Sequence, residues 1–259
     1  AEEVLQIEWV FYAGNWYEEK NMVATTANFM LKNGTSKRNA FQINEHFEYF
    51  GSYLNRACYN ETSTVNIHCL NKHIEELLPV IRELLTDSIF PEEELNTFKQ
   101  NQLQRLAVSL KKADFVAGRL IDTYLYGEEH PYGRFTKEEH YQSLTTEDLK
   151  KFYNDYYRRG KCIIFVAGKI PANMESLLNQ YFGDLPIGQN DFVIPGIEPK
   201  PAAGKGEKRR VQNDPNGVQG SIRIARPFPN RHHPDFMKVQ VLNNLFGGFF
   251  GSRLMSNIR

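Results

Sequence analysis

Two β-rich runs sit almost against each other between Tyr53 and Leu70, in the stretch YLNRACYNETSTVNIHCL, and only a turn near Asn60-Glu61 separates them. Strands joined so closely pair antiparallel, because a parallel return needs a crossover of a dozen or more residues. A third run, VLQIEWVFYAG from Val4, mixes aliphatic and aromatic residues with partial alternation and reads as a long strand that needs neighbours. Around these strands the periodicity turns helical. Helices are expected over 21–32, stopped by Gly34, over 38–50, and from about His73 to Ser88 with Leu77, Val80, Ile81, Leu84 and Leu85 on one face. Pro79 fits that last helix only near its first turns, which leaves its start open.

FPEEELNTFKQNQLQRLAVSLKKA opens with a proline and three acids, the composition of a long helix's N-terminus. HPYG (His130–Gly133) reads as a turn. In LTTEDLKKFYNDYY a Thr cap precedes Leu149, Phe152, Tyr153 and Tyr156 at i, i+3, i+4 and i+7. KCIIFVAGKI reads as a buried strand, followed by a helix to about Tyr181. The expected fold is therefore α+β, a mainly antiparallel sheet backed by helices, over residues 1–185.

Composition shifts at Pro186. Four of the twelve prolines fall between Pro186 and Gly206, with several glycines and little periodicity, so 186–206 reads as a linker. Beyond it the first pattern begins again: GSIRIARPF as a strand, HPDFMKVQVLNNLFGG as a helix, FFGSRLMSNIR as a further helical start. Residues 207–259 thus read as the start of a second, related domain, an incomplete copy of the first. One strand and two helices cannot bury a sheet. The chain is accordingly expected to be part of a longer polypeptide, lacking the rest of that domain and an opening strand beside Val4–Tyr12.

Charge narrows the function. Lys plus Arg and Asp plus Glu are both 31, which argues against a nucleic-acid partner, whose backbone contacts need a basic surplus. The run GEKRR (Gly206–Arg210) is too short to change that balance. Mean hydropathy is −0.52 and no run approaches a membrane span. Cys58, Cys69 and Cys162 form no CxxC pair and read as buried free thiols rather than as a disulfide framework or a zinc knuckle. The beginning AEEVLQIEWVF lacks the basic and small-residue features of a signal peptide, and the compartment stays open.

Taken in order, FMLKNGT, FGSYLNRACYNETSTV, FPEEEL, HPYG, SLTTEDLKKFYNDYY, IIFVAGKI with YFGDLP, and LNNLFGGFFGSRLMSNIR resemble the insulinase/pitrilysin-like metallopeptidases, the family of the mitochondrial processing peptidases. The resemblance runs along nearly the whole chain and implies a two-domain α+β repeat. In active members the first helix carries His-x-x-Glu-His. Its two histidines hold one Zn²⁺ from a single helix face, its glutamate activates the bound water, and a glutamate on a later helix completes the site. Counted from Gly34-Thr35, those three positions fall on Thr25, Asn28 and Phe29. The later glutamate falls on Arg105, with Phe98 at an accompanying acid's position two turns earlier.

None of these four residues suits zinc. Phe has no donor atom, Thr and Asn are poor ligands, and Arg105 brings a fixed positive charge. No HxxEH, HxxxH or HExxH occurs elsewhere; His73 in HIEEL lacks a partner, and Glu45-His46 reads as a solvent-facing pair. The resemblance therefore implies no catalytic residue and no cofactor in this chain. It implies a degenerate copy that pairs with a catalytic, zinc-bearing chain or domain and helps enclose a chamber for unfolded peptide. In the family, a Gly-Gly-x-Leu-Asn-Ala strand receives extended peptide by strand addition. Here that strand gives Leu54, Asn55, Arg56, Ala57 and Cys58 as candidate binding residues, with Ser52 in place of the second glycine and Arg56 in place of Ala. A bare sheet edge is the plain alternative. LFGGFFGSRL lacks the ending of a phosphate loop and reads as a turn between helices. Two other functions stay open: an active zinc endopeptidase with unrecognised ligands, and a structural scaffold subunit. On packing grounds Phe29 is expected to be buried, Thr25 to share its face, and Arg105 to approach that face.

Overall fold

The computed structural model describes residues 3–186, 188, 195–204 and 206–258. The chain divides into two compact units, residues 1–222 and 223–259.

β1 (Val4–Phe11) alternates as a half-buried strand should: Leu5, Ile7, Trp9 and Phe11 are fully buried and the residues between them are not. After it, α1 (Val23–Met30) and α2 (Ala40–Tyr49) precede the hairpin of β2 (Tyr53–Cys58) and β3 (Ser63–Leu70). Helices α3 (Ile74–Asp87), α4 (Glu92–Leu110), α5 (Ala113–Tyr126), α6 (Glu138–Gln142) and α7 (Thr146–Tyr153) follow, then β4 (Cys162–Gly168) and α8 (Met174–Phe182). The four strands form one sheet in the order β2-β3-β1-β4, antiparallel throughout. Both neighbours of β1, β3 and β4, come from within the chain, which corrects the expectation of a missing strand beside it.

Register decides where the core lies. Trp9 stands opposite Val65 and Ile164, and Ile7 opposite Ile67 and Val166, so one face of the sheet is apolar. Helices cover that face. Leu77, Leu78, Val80, Ile81, Leu84 and Leu85 of α3 are buried, and Phe182 of α8 lies 5.3 Å from the Trp9 ring. At the head of α7, Asp148 N–H donates to the Thr145 hydroxyl at 3.2 Å, while the Asp148 carboxylate accepts the Thr145 N–H at 2.9 Å. A π-helical turn, Asn154–Arg158, then turns Tyr157 inward onto Phe11, at 4.8 Å between rings.

Pro79 is the sixth residue of α3, in its second turn, which agrees with its expected place near the first turns and sets the start at Ile74. Two further expectations are corrected. β4 is an edge strand rather than a buried one, with Phe165 55% exposed on the uncovered face. Gly220–Phe228 carries no strand, because the second unit supplies no other strand among the described residues to complete a ladder. That unit contains α9 (Phe236–Gly247) and α10 (Arg253–Ile258), neither with a buried residue. Of the expected linker 186–206, residues 187, 189–194 and 205 lie outside the described residues. Lys200 and Ala202 donate their N–H groups to Tyr126 O and Tyr124 O of α5.

Gly34 follows α1 as the sequence suggests. Its φ is 152°, and a Cβ there would meet Pro91 Cγ at 2.9 Å.

Candidate functional site

Helix α1 starts without a side-chain cap of its own. Met22 precedes it in the left-handed region at φ 73°, and the Glu18 carboxylate accepts the Ala24 N–H at 2.9 Å. Glu18 is buried and faces Arg134, whose Nη1 donates to it at 2.9 Å and also to Asn15 O. Burial nevertheless raises the Glu18 carboxyl to about 7, against the opposing pull of the Ala24 N–H and Arg134. The helix is thus anchored by a carboxyl group five residues before it.

The three motif positions now take distinct roles. Asn28 points into the core, where its Nδ2 donates to Thr64 O of β3 at 3.1 Å and to the Tyr157 hydroxyl at 3.0 Å. Its amide is fully engaged as a donor. Thr25 is half-buried and lines a polar cavity of about 580 Å³. Phe29 is 41% exposed, which corrects the expectation that it is buried. The ring is partly covered: Phe98 of α4 packs on it at 4.9 Å between rings, and Arg56 of β2 lies over its face with Cζ 4.9 Å from the centroid. Phe98 is thus an α4 residue that meets α1. Arg105 is exposed, about 10 Å further along the helix at 1.5 Å per residue.

Arg56 is the group that changes this region most. Its Nη1 donates to Phe29 O at the end of α1, and its Nε is buried with no partner. Burial pushes its guanidinium down to about 10, and no carboxylate offsets that. Lys32, half-buried just beyond α1, is also lowered, first by burial and then by Arg56. A zinc ion does not fit this arrangement: one position has no donor, one amide is committed to the core, and a guanidinium stands alongside. Among the described residues no group of three His, Cys, Asp or Glu side chains could hold a metal ion.

The five candidate binding residues do not form one surface. Leu54 is buried and, by strand alternation, Arg56 and Cys58 share its helix-covered face, while Asn55 and Ala57 point the other way. What unites them is backbone, since among the described residues β2 is an outer strand with no partner beyond it in the sheet. Asn55 Oδ1 accepts the Arg56 N–H at 2.9 Å. Ser52, in place of a glycine, is buried and donates to Phe47 O at 2.8 Å. The three cysteines are free; burial raises all three thiols, Cys69 to about 11 and Cys162 to about 12.

Sequence reasoning missed the polar cavity beside Thr25. Glu18, Glu61, Asp122, Arg119 and His140 converge there from separate segments of the chain. The Tyr132 hydroxyl donates to Glu61, His140 shares a 3.2 Å contact with Asn21, and burial raises Asp122 and lowers His140. No local spacing links such residues; only the HPYG turn, which delivers Tyr132 and Arg134, gave a signal.

Residues 3–131 match the family described as Insulinase (Peptidase family M16), and residues 143–259 match the one described as Peptidase M16 inactive domain. The chain belongs to the insulinase-like M16 peptidase family. Within that family it is 26% identical, over 83% of its length and 48% of the relative's, to a probable mitochondrial-processing peptidase subunit beta of Schizosaccharomyces pombe. It is 25% identical, over 93% of its length and 48% of the relative's, to ubiquinol-cytochrome-c reductase complex core protein I of Euglena gracilis. Both relatives are named as parts of larger assemblies, and the M16 chain spans about half the length of each. Its fold matches the crystal structure of a peptidase M16 inactive domain from Pseudomonas fluorescens at a TM-score of 0.76 and 21% identity, covering 100% of this chain and 63% of that one. The match to an inactive domain and the lack of a metal-holding group among the described residues are compatible with an M16 member that needs no cofactor.

Proposed function

We propose that this chain is a non-catalytic peptidase-like subunit or domain that pairs with a zinc-bearing copy and contributes part of the wall of a peptide-binding chamber. In this reading residues 1–185 are the peptidase-like domain, 186–206 the connection, and 207–259 the start of a second related domain. The observation that carries it is the fate of the motif helix. The frame around α1 is kept, yet Asn28 is spent on Thr64 O and Tyr157, and Phe29 is bracketed by Phe98 and Arg56. A frame retained without its ligands fits a role in holding peptide, through the free backbone of β2, better than a role in cutting it. The relatives named as parts of assemblies support pairing.

The test mixes the chain with the family member from the same organism that carries HxxEH. Alone, the chain should contain no stoichiometric zinc and leave an unstructured peptide uncut; mixed, it should form a defined complex and raise the partner's hydrolysis. Tightly held zinc at one per chain, or chelator-sensitive cleavage by the chain alone, overturns the non-catalytic reading. A complex that leaves hydrolysis unchanged favours a scaffold role, the reading suggested by the likeness to a respiratory core protein. Failure to associate overturns the pairing.

A further inference from the structure

Resting on the peptide-binding reading above, we propose that the former metal position now recognises a carboxylate: the Arg56 guanidinium, with Lys32 beside it, receives an Asp or Glu side chain of an extended peptide lying along the outer edge of β2.

Charge complementarity carries the argument. An active site of this kind gathers acids and imidazoles around a dication, whereas the charged groups beside Phe29 are the cations Arg56 and Lys32, the acids Glu18, Glu61 and Asp122 lining the cavity on the Thr25 side. No ion pair involving Arg56, Lys32 or Arg105 exists among the described residues. The ionisable groups facing Arg56 are the Tyr157 and Tyr53 phenols and the Lys32 ammonium; Glu48 acts on Lys32, in opposition to burial and Arg56. A guanidinium offers five N–H donors, and among the described residues the one hydrogen bond that Arg56's make is to Phe29 O. Its Nε is held out of solvent with nothing to bond, the condition a carboxylate arriving in bidentate geometry would relieve. Stacking on Phe29 and the bond to Phe29 O hold the planar fork in place beforehand, so little rotamer freedom is lost on binding.

The sheet tells where the acid must sit. A peptide paired with β2 alternates its side chains between the two faces, and the residue opposite Arg56 falls on the helix-covered face with a Cβ about 5 Å away. Arg56 is the fourth of the six residues of β2, so the incoming chain passes it on both sides. A side-chain carboxylate fits that place; a chain terminus would leave half the edge unused.

Two labelled unstructured peptides of about ten residues, enough to pass β2, differing only by a central Glu or Gln and both amidated, test this by fluorescence anisotropy at low ionic strength with the full 259-residue chain. The Glu peptide should bind about tenfold more tightly, the size of one charge-assisted pair. The ratio should fall to about one in Arg56→Gln and be partly kept in Arg56→Lys, with circular dichroism checking that both variants fold. Equal binding of the two peptides to the unaltered chain overturns the proposal without any variant. So does a Glu preference that survives in folded Arg56→Gln, or a gain seen only when the amide is replaced by a free C-terminus. Charge-blind binding sinks this proposal alone; no binding of either peptide sinks the peptide-binding reading as well.

Discussion

Replacing Asn28 by an aspartate changes almost no volume but reverses the chemistry at the centre of the motif helix. The wild-type amide donates twice, to Thr64 O at 3.1 Å and to the Tyr157 hydroxyl at 3.0 Å. A carboxylate has no proton for Thr64 O, while Tyr157 can turn its own hydroxyl to donate. One bond is therefore recoverable, and the other becomes lone pair against lone pair beside a buried charge. Burying a charged group with an unmet partner costs about 3 kcal/mol. At roughly 2–4 °C per kcal/mol for a unit of this size, the melting temperature should fall by about 6–12 °C. The loss should also depend on pH. Once protonated, the introduced carboxyl can donate to Thr64 O, so its folded pKa lies above its unfolded one. Below the unfolded value both states are protonated and the penalty is small; it grows as pH rises and is complete above the folded value. Thermal melts of the wild type, Asn28→Asp and Asn28→Ala across about pH 4 to 8 give the readout, and the Ala variant should be destabilised without that trend. An Asn28→Asp protein that melts within about 2 °C of wild type at the alkaline end of that range refutes the assignment of Asn28 as a structural tie.

Two further outcomes are expected. In Glu18→Gln the dependence of stability on pH should flatten, because the wild-type carboxyl titrates near 7 when folded and near 4.5 when unfolded. Over that window the folded state holds the extra proton, so wild-type stability falls as pH rises, by up to about 3 kcal/mol at roughly 1.36 kcal/mol per pKa unit; denaturant unfolding at either end of the window measures it, and parallel profiles for the two proteins would count against a raised Glu18. Combining Thr25→His, Asn28→Glu, Phe29→His and Arg105→Glu should restore zinc binding only weakly, since the Arg56 guanidinium still donates to the backbone carbonyl of residue 29 beside the site and new ligands without partners that orient them bind a metal poorly. Competition against a chromogenic chelator checks this, and tight one-to-one zinc binding would show that the supporting shell survives.

The antiparallel sheet was legible because its signals are local: Leu5, Ile7, Trp9 and Phe11 alternate, and a short turn joins β2 to β3. β4 misled because CIIFVAG is uniformly apolar, and burial of such a run depends on what lies beyond the sheet edge. Helix α5 drew no reading at all, with Gly118 and few buried residues to mark a face. At the site, the identities at 25, 28 and 29 could be read from the sequence, but the directions of their side chains could not. Phe29 was expected inside on packing grounds, yet α1 turns Asn28 inward and leaves Phe29 at the rim. Arg56 attracted notice only as a departure from a motif. Its standing as an unpaired cation over Phe29 depends on β2 meeting the end of α1, a contact between residues 27 positions apart.

On the non-catalytic reading proposed above, the two hydrogen bonds that Asn28 donates to core acceptors also bear on history. A lineage that exchanges a catalytic acid for a core donor cannot retrace the step cheaply: a glutamate at that position meets Thr64 O, a histidine in place of Phe29 gives up the packing between Phe98 and Arg56, and neither gains a metal until the others are present. Each intermediate loses stability and gains no activity, and proteins sit close enough to their stability threshold for such losses to be purged. On that reading the loss of the ligands behaves as a ratchet. Any catalytic descendant of this chain would have to arise by recombination with an intact copy rather than by successive point reversions.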